Sequence, residues 1–172
     1  MKSENRAGLV IGLLLIGLGG LFLASNLLTG FDIILSWPII FFILAAGFAI
    51  WPFIFPQAKQ GLAGLLIPAA ILATLGSIFM YNTLTTDWGA WAYLWILLPG
   101  GVGLGLVLAG WVGEWGRTTV NVGLWMLGIS LVVFAFFSTL FGEPALKIAG
   151  SSLLILAGGT LLWRALQKPK TP

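Results

Sequence analysis

The chain has 172 residues, 59% of them hydrophobic and 8% charged, with eight basic and five acidic side chains and a net charge of +3. A water-soluble domain carries charge on roughly a quarter of its residues, so a soluble catalytic or nucleic-acid-binding domain is excluded and an integral membrane protein is expected. Cysteine and histidine are both absent, which removes disulfides, thiolate and imidazole metal ligands, and the commonest general base.

Crossing a hydrocarbon core as a helix takes about 20 mostly apolar residues. Runs of that kind begin near Ala7, Leu35, Gly61, Trp91, Thr119 and Ala145. The expected fold is therefore an all-α polytopic membrane protein with six transmembrane helices, forming a single membrane domain over residues 1–172. Backbone satisfaction in lipid excludes an open sheet. The first run follows MKSENR and precedes SNLL, which lacks a small-x-small cleavage site, so it reads as a retained span.

Basic residues orient such a chain. With a cytoplasmic N-terminus, Lys2, Arg6, Lys59, Arg117, Arg164, Lys168 and Lys170 fall inside and Lys147 alone falls outside. The reading is a multi-pass protein of a bacterial inner (plasma) membrane with both termini cytoplasmic. The cations are scattered, which fits topology rather than nucleic acid.

Within the turns, Ser25-Asn26-Leu27-Leu28-Thr29-Gly30 recurs as Tyr81-Asn82-Thr83-Leu84-Thr85-Thr86 and as Phe137-Ser138-Thr139-Leu140-Phe141-Gly142. Asn26, Asn82 and Ser138 stand 56 residues apart, and the same offset aligns Gly47, Gly103 and Gly159. This predicts three tandem helical hairpins over approximately 7–56, 61–112 and 119–165, related by a pseudo-threefold axis along the membrane normal. Asn26, Asp32, Asn82, Asp87 and Glu143 then occupy outer turns. Trp37, Trp88 and Trp91 mark the outer interface and Trp51, Trp111, Trp115 and Trp163 the inner one, with Trp95 and Trp125 deeper.

Small residues set packing where buried and lipid-facing surfaces are equally apolar. Gly8-x-x-x-Gly12 and Gly101-x-x-x-Gly105 have the spacing for close helix approach, either within the chain or in a dimer. Ala45, Ala46 and Gly47 form a similar patch.

Candidate chemistry is sparse. Asp87 and Glu143 are equivalent under the repeat and Asp32 is one position out of register, so three carboxylates around an axis are a conceivable hard-cation site. Single acids in polar turns have the plainer explanation of capping. All thirteen charges sit in termini, turns or span ends, which argues against a proton-coupled transporter. Neutral polar residues such as Thr74, Ser77, Ser130, Ser151, Ser152 and Thr160 suit hydrogen bonds between helices better than a pore lining. Pro99-Gly100-Gly101 predicts a break in the fourth helix, read as a kink or as a substrate-related hinge. GGVGLG from Gly100 lies inside an apolar span and is not a dinucleotide loop. No catalytic, cofactor-binding or metal residues are predicted, and no enzyme activity.

The first hairpin, GLVIGLLLIGLGGLFLASNLLTGFDIILSWPIIFFILAAGFAI, resembles the LiaF-type transmembrane region of bacterial membrane proteins. Gly17, Gly20, Phe22, Leu23, Asn26, Trp37, Pro38 and Gly47 carry the likeness, and Phe79, Asn82, Asp87, Trp88, Trp91, Trp95 and Gly103 repeat it. The resemblance implies a protein that acts by contacting other membrane proteins, as LiaF-type inhibitors restrain a sensor kinase; those inhibitors carry a soluble C-terminal domain. The expected role is a non-enzymatic scaffold or regulatory module, related to envelope stress. Its partners would be the lipid bilayer and a membrane protein or a second copy. The alternative is a small transporter or channel for a neutral or weakly polar solute.

Overall fold

A computed structural model describes residues 3–27 and 37–167. Among them every regular element is helical: α1 (Ser3–Leu27), α2 (Ile39–Ala49), α3 (Trp51–Ile54), α4 (Lys59–Leu62), α5 (Leu66–Thr85), α6 (Trp91–Leu94), α7 (Leu97–Val112), α8 (Arg117–Phe141) and α9 (Pro144–Gln167). Short 3-10 turns at Pro56–Ala58, Ala63–Leu65 and Trp88–Ala90 join the middle elements.

Proline positions explain several boundaries. Pro52 and Pro56 have no N–H to donate, and between them Phe55 leaves helical geometry at φ −118°, ψ 74°. The apolar stretch after Trp37 is therefore cut into α2, α3 and a 3-10 turn. At the other end of the chain Pro144 opens α9, where the missing donor costs nothing.

Each long helix packs antiparallel on the next one along the chain. Leu14 of α1 meets Gly47 of α2, and Phe41 and Phe42 of α2 meet Gly76 of α5. Between α5 and α7 the contacts are Thr74 with Gly101 and Ile67 with Gly105, and between α8 and α9 Ala135 and Thr139 face Gly150. The result is a sequential helical array with α7 near its middle.

The α7–α8 interface is the tightest. Gly100, Gly103, Val107 and Gly110 on α7 face Val120, Gly123, Leu127 and Ser130 on α8, both at 3-4-3 spacing. A Cβ on Gly103 would sit 2.6 Å from the Gly123 carbonyl oxygen and 2.6 Å from the Leu127 nitrogen, so the two backbones touch. On its other side α7 turns Gly101 and Gly105 to α5, where a Cβ at 105 would lie 2.6 Å from the Ile67 Cα. One glycine-rich helix thus lets two neighbours approach at once.

Two buried apolar clusters hold the ends. Ile78, Ala90, Tyr93, Leu94 and Phe134 form one, and Ala63, Leu66 and Ala109 form the other under Trp115. Trp115 Nε1 donates to the Gln60 carbonyl (2.8 Å), tying the turn before α8 to α4, 55 residues earlier. At the opposite end Trp37, Phe41, Phe79 and Trp91 pack ring against ring, edge-on or tilted except for Phe79 and Trp91, which stack nearly parallel at 5.4 Å.

The six-span architecture is corrected by these helices. Among the described residues only Pro56–Thr85 and Arg117–Phe141 are long and apolar enough to cross a membrane, and Trp88–Leu94 with Leu97–Val112 makes a third if that pair, bent by 55°, is one span. Gly8–Gly20 within α1, Ile39–Ile54, and Pro144–Thr160 within α9 are apolar stretches of 10–17 residues among the described ones. Ile39–Ile54 rises about 24 Å at 1.5 Å per residue, short of a core of about 30 Å.

The pseudo-threefold expectation fails at its own marker positions. A Cβ on Gly103 meets backbone, one on Gly47 meets the flexible end of Leu14 at 2.8 Å, and one on Gly159 meets nothing within 4 Å. Substantial packing runs between successive helices and does not close into three like units.

Candidate functional site

The strongest concentration of polar groups lies where α5 hands over to α7. Thr86 closes α5 in the left-handed conformation (φ 56°), which turns the chain sharply. Asp87 then caps the 3-10 turn, its Oδ1 accepting from the Ala90 N–H at 3.3 Å. The Thr85 hydroxyl accepts from the Asp87 N–H (3.4 Å) and donates to the Tyr81 carbonyl (2.8 Å). This chain of local bonds fixes the Asp87 carboxylate at the end of the array.

Across from it, α8 ends at Phe141 and α9 begins at Pro144, with Glu143 in the turn between them. Asp87 and Glu143 line one cavity of about 510 Å³, together with Gly89, Ala90, Ala92, Tyr93, Phe137, Phe141 and Gly142. The Phe137 and Phe141 rings stack one turn apart along α8, at 6.1 Å. Tyr93 is 4% exposed, and its hydroxyl approaches the Glu143 backbone without closing a hydrogen bond.

Asn82 and Thr83 lie just before this turn and are likewise buried with unpaired polar atoms, Asn82 with both its amide atoms. Asn82 stands one helical turn beyond Ile78, which packs against Ala90 and Tyr93. An unmade hydrogen bond on a buried polar group costs about 1–3 kcal/mol. This end of the protein therefore holds polar capacity that the protein itself leaves unused.

The bend between α6 and α7 falls at Trp95–Ile96, and Pro99 sits in the first turn of α7. The expected break at Pro99-Gly100-Gly101 is thus displaced by one turn. Pro99 cannot donate to the Trp95 carbonyl four residues back, so the helix ends there and Leu98 N–H bonds that carbonyl at 3.0 Å instead. Ser130 of α8 donates to the Ile96 carbonyl at 2.5 Å and pins the bend. Gly100 and Gly101 are packed inside α7, against Ser130 and Thr74.

A second cavity, about 330 Å³ and almost wholly apolar, lies beside this bend between α5, α7 and α8. Thr74 and Ser77 line it, but their hydroxyls donate to the Ala70 and Ala73 carbonyls of their own helix. Ser152 and Thr160 also bond within α9. Of the neutral polar residues expected to join helices, Ser130 is the one whose hydrogen bond crosses to another element among the described residues.

The remaining predicted positions are less gathered. Asp32 lies outside the described residues, and Asn26 is near the end of α1 with its side chain outside them. A Cβ added at Gly8 or Gly12 would meet no atom of the described residues within 4 Å, because α1 packs through Val10, Leu14 and Gly17 on its opposite face. No group of three potential metal ligands occurs among the described residues. Tyr93, Phe137 and Phe141 were not legible as site residues, since aromatic residues near span ends are ordinary interface anchors.

Comparison with family models, with curated proteins and with solved structures finds no match to this chain.

Proposed function

We propose that the protein is a membrane-embedded, non-enzymatic scaffold that works by contacting other membrane helices. The supporting observation is the contrast between covered and uncovered glycine faces. Gly100, Gly101, Gly103 and Gly105 are buried against neighbouring helices, whereas a Cβ on Gly8, Gly12 or Gly19 of α1 or on Gly158 or Gly159 of α9 would meet no atom within 4 Å among the described residues. Around them large apolar side chains are open, with Ile16 72%, Ile155 74% and Leu166 83% exposed. Exposed apolar surface on this scale suits lipid, and uncovered small residues there suit close approach of a partner helix.

Under this reading α1 and α9, the outer helices of the array, carry the docking faces and α7 is the internal keystone. The likeness of the first hairpin to LiaF-type regions points the same way, toward regulation by contact in the envelope.

The test is mild-detergent purification of the tagged chain from its native membrane. A partner or second copy at fixed stoichiometry is expected, reduced by Gly12→Ile and Gly159→Ile and retained with Leu15→Val. Recovery of a lone monomer, or equal recovery of the partner with the isoleucine variants, would refute the scaffold reading.

A further inference from the structure

We propose that the cavity between Asp87 and Glu143 is a binding site for a lipophilic organic cation. Three observations carry this. The cavity, about 510 Å³, lies in the range of small-molecule sites. Two carboxylates line it, and neither forms an ion pair among the described residues, the basic Lys147 lying a turn along α9. The Asp87 Oδ1 is used as a cap, so its second oxygen is available. Tyr93 contributes to the wall of the same cavity, its hydroxyl buried away from it beside the Glu143 backbone.

The stacked Phe137 and Phe141 decide the ligand class. Aromatic faces attract a cation through the ring quadrupole and shelter the apolar body around it, which a hydrated metal ion does not use. Calcium needs six to eight oxygen ligands, and two carboxylates fall short of that. An ammonium or phosphonium carrying hydrocarbon groups uses every feature of the cavity. This site does not depend on the scaffold reading, because it lies in the turns rather than on the outer faces of α1 and α9.

The probe is labelled tetraphenylphosphonium, dialysed to equilibrium against the full-length chain in non-ionic detergent with empty micelles subtracted. Saturable binding at one site per chain is expected, with no saturable binding of tetraphenylborate, which has the same shape and the opposite charge. Asp87→Asn with Glu143→Gln should weaken binding by about tenfold or more. Asparagine keeps the cap at position 87, and Glu143→Gln alone, at an exposed side chain, must also weaken binding if the double variant misfolds. Equal binding of the borate, or unchanged affinity in Glu143→Gln and the double variant, would overturn the assignment. So would calcium that binds by itself and displaces the probe, since that would make the site a metal site.

Discussion

Replacing Gly103 with alanine should destabilise the protein, while the same change at Gly159 should not. At Gly103 the added methyl would lie 2.6 Å from two backbone atoms of α8, and ordinary contact begins at 3.4 Å. Helices α7 and α8 must then part by about 0.8 Å locally. A radial gap of about 0.5–1 Å forfeits a quarter to a half of the dispersion energy of each contact it opens. Because backbone cannot rotate away as a side chain can, the expected cost is in the usual overpacking range of about 1–3 kcal/mol. At Gly159 the methyl meets nothing within 4 Å, and alanine is the better helix former by about 1 kcal/mol, so a small gain is expected. Both variants are measured by reversible unfolding in mixed micelles, followed by far-ultraviolet circular dichroism. Shifts of the same sign at the two positions would refute the packing argument and restore the equivalence that the 56-residue register suggests.

Thr86 and Glu114 adopt positive φ without being glycine, and Thr86 is β-branched. Thr86→Gly should raise stability by about 0.5–1 kcal/mol in the same assay, and a loss would mean that the Thr86 side chain contributes contacts of its own. Ser130→Ala removes the hydroxyl that bonds the Ile96 carbonyl, with an expected loss of about 0.5–1.5 kcal/mol; no loss would show that the bend holds itself. Pro99→Ala restores a donor for the Trp95 carbonyl and should straighten the 55° bend. In a chain without native cysteine, spin labels at Trp88→Cys and Leu108→Cys should then move apart by about 3 Å, from the helix rise over the two arms. An unchanged distance would place the cause of the bend in the Ser130 bond and the packing of α5 and α8.

Parts of the candidate site were legible because the relevant chemistry is local. Asp87 and Glu143 stood out as acids in turns, and the turn residues around Asn82 mark the end of α5 as they should. What pairs them across a cavity is the antiparallel packing of α5, α7 and α8, which no stretch of sequence shorter than the hairpins contains. Tyr93 shows the same limit. A tyrosine near a helix end reads as an interface anchor, and only the fold reveals that its hydroxyl is buried and unpaired.

Gly8-x-x-x-Gly12 and Gly101-x-x-x-Gly105 make the point within one motif. Both have identical spacing, yet the second is pressed against α5 and the first is open. Spacing shows that a face is smooth; it carries no information about what lies opposite.

By itself the sequence determined an all-helical, apolar chain with turns where Asn, Asp, Pro and Gly gather, because these preferences act over one or two helical turns. The tertiary structure alone decided that two or three helices among the described residues are long and apolar enough to cross a membrane, that the bend falls at Trp95–Ile96, and which glycine faces are covered. The physical reason is the chain's uniform apolarity. In water, hydrophobicity separates inside from outside, but where every face is apolar that signal vanishes and the choice of neighbour rests on shape and backbone approach, which exist only in three dimensions.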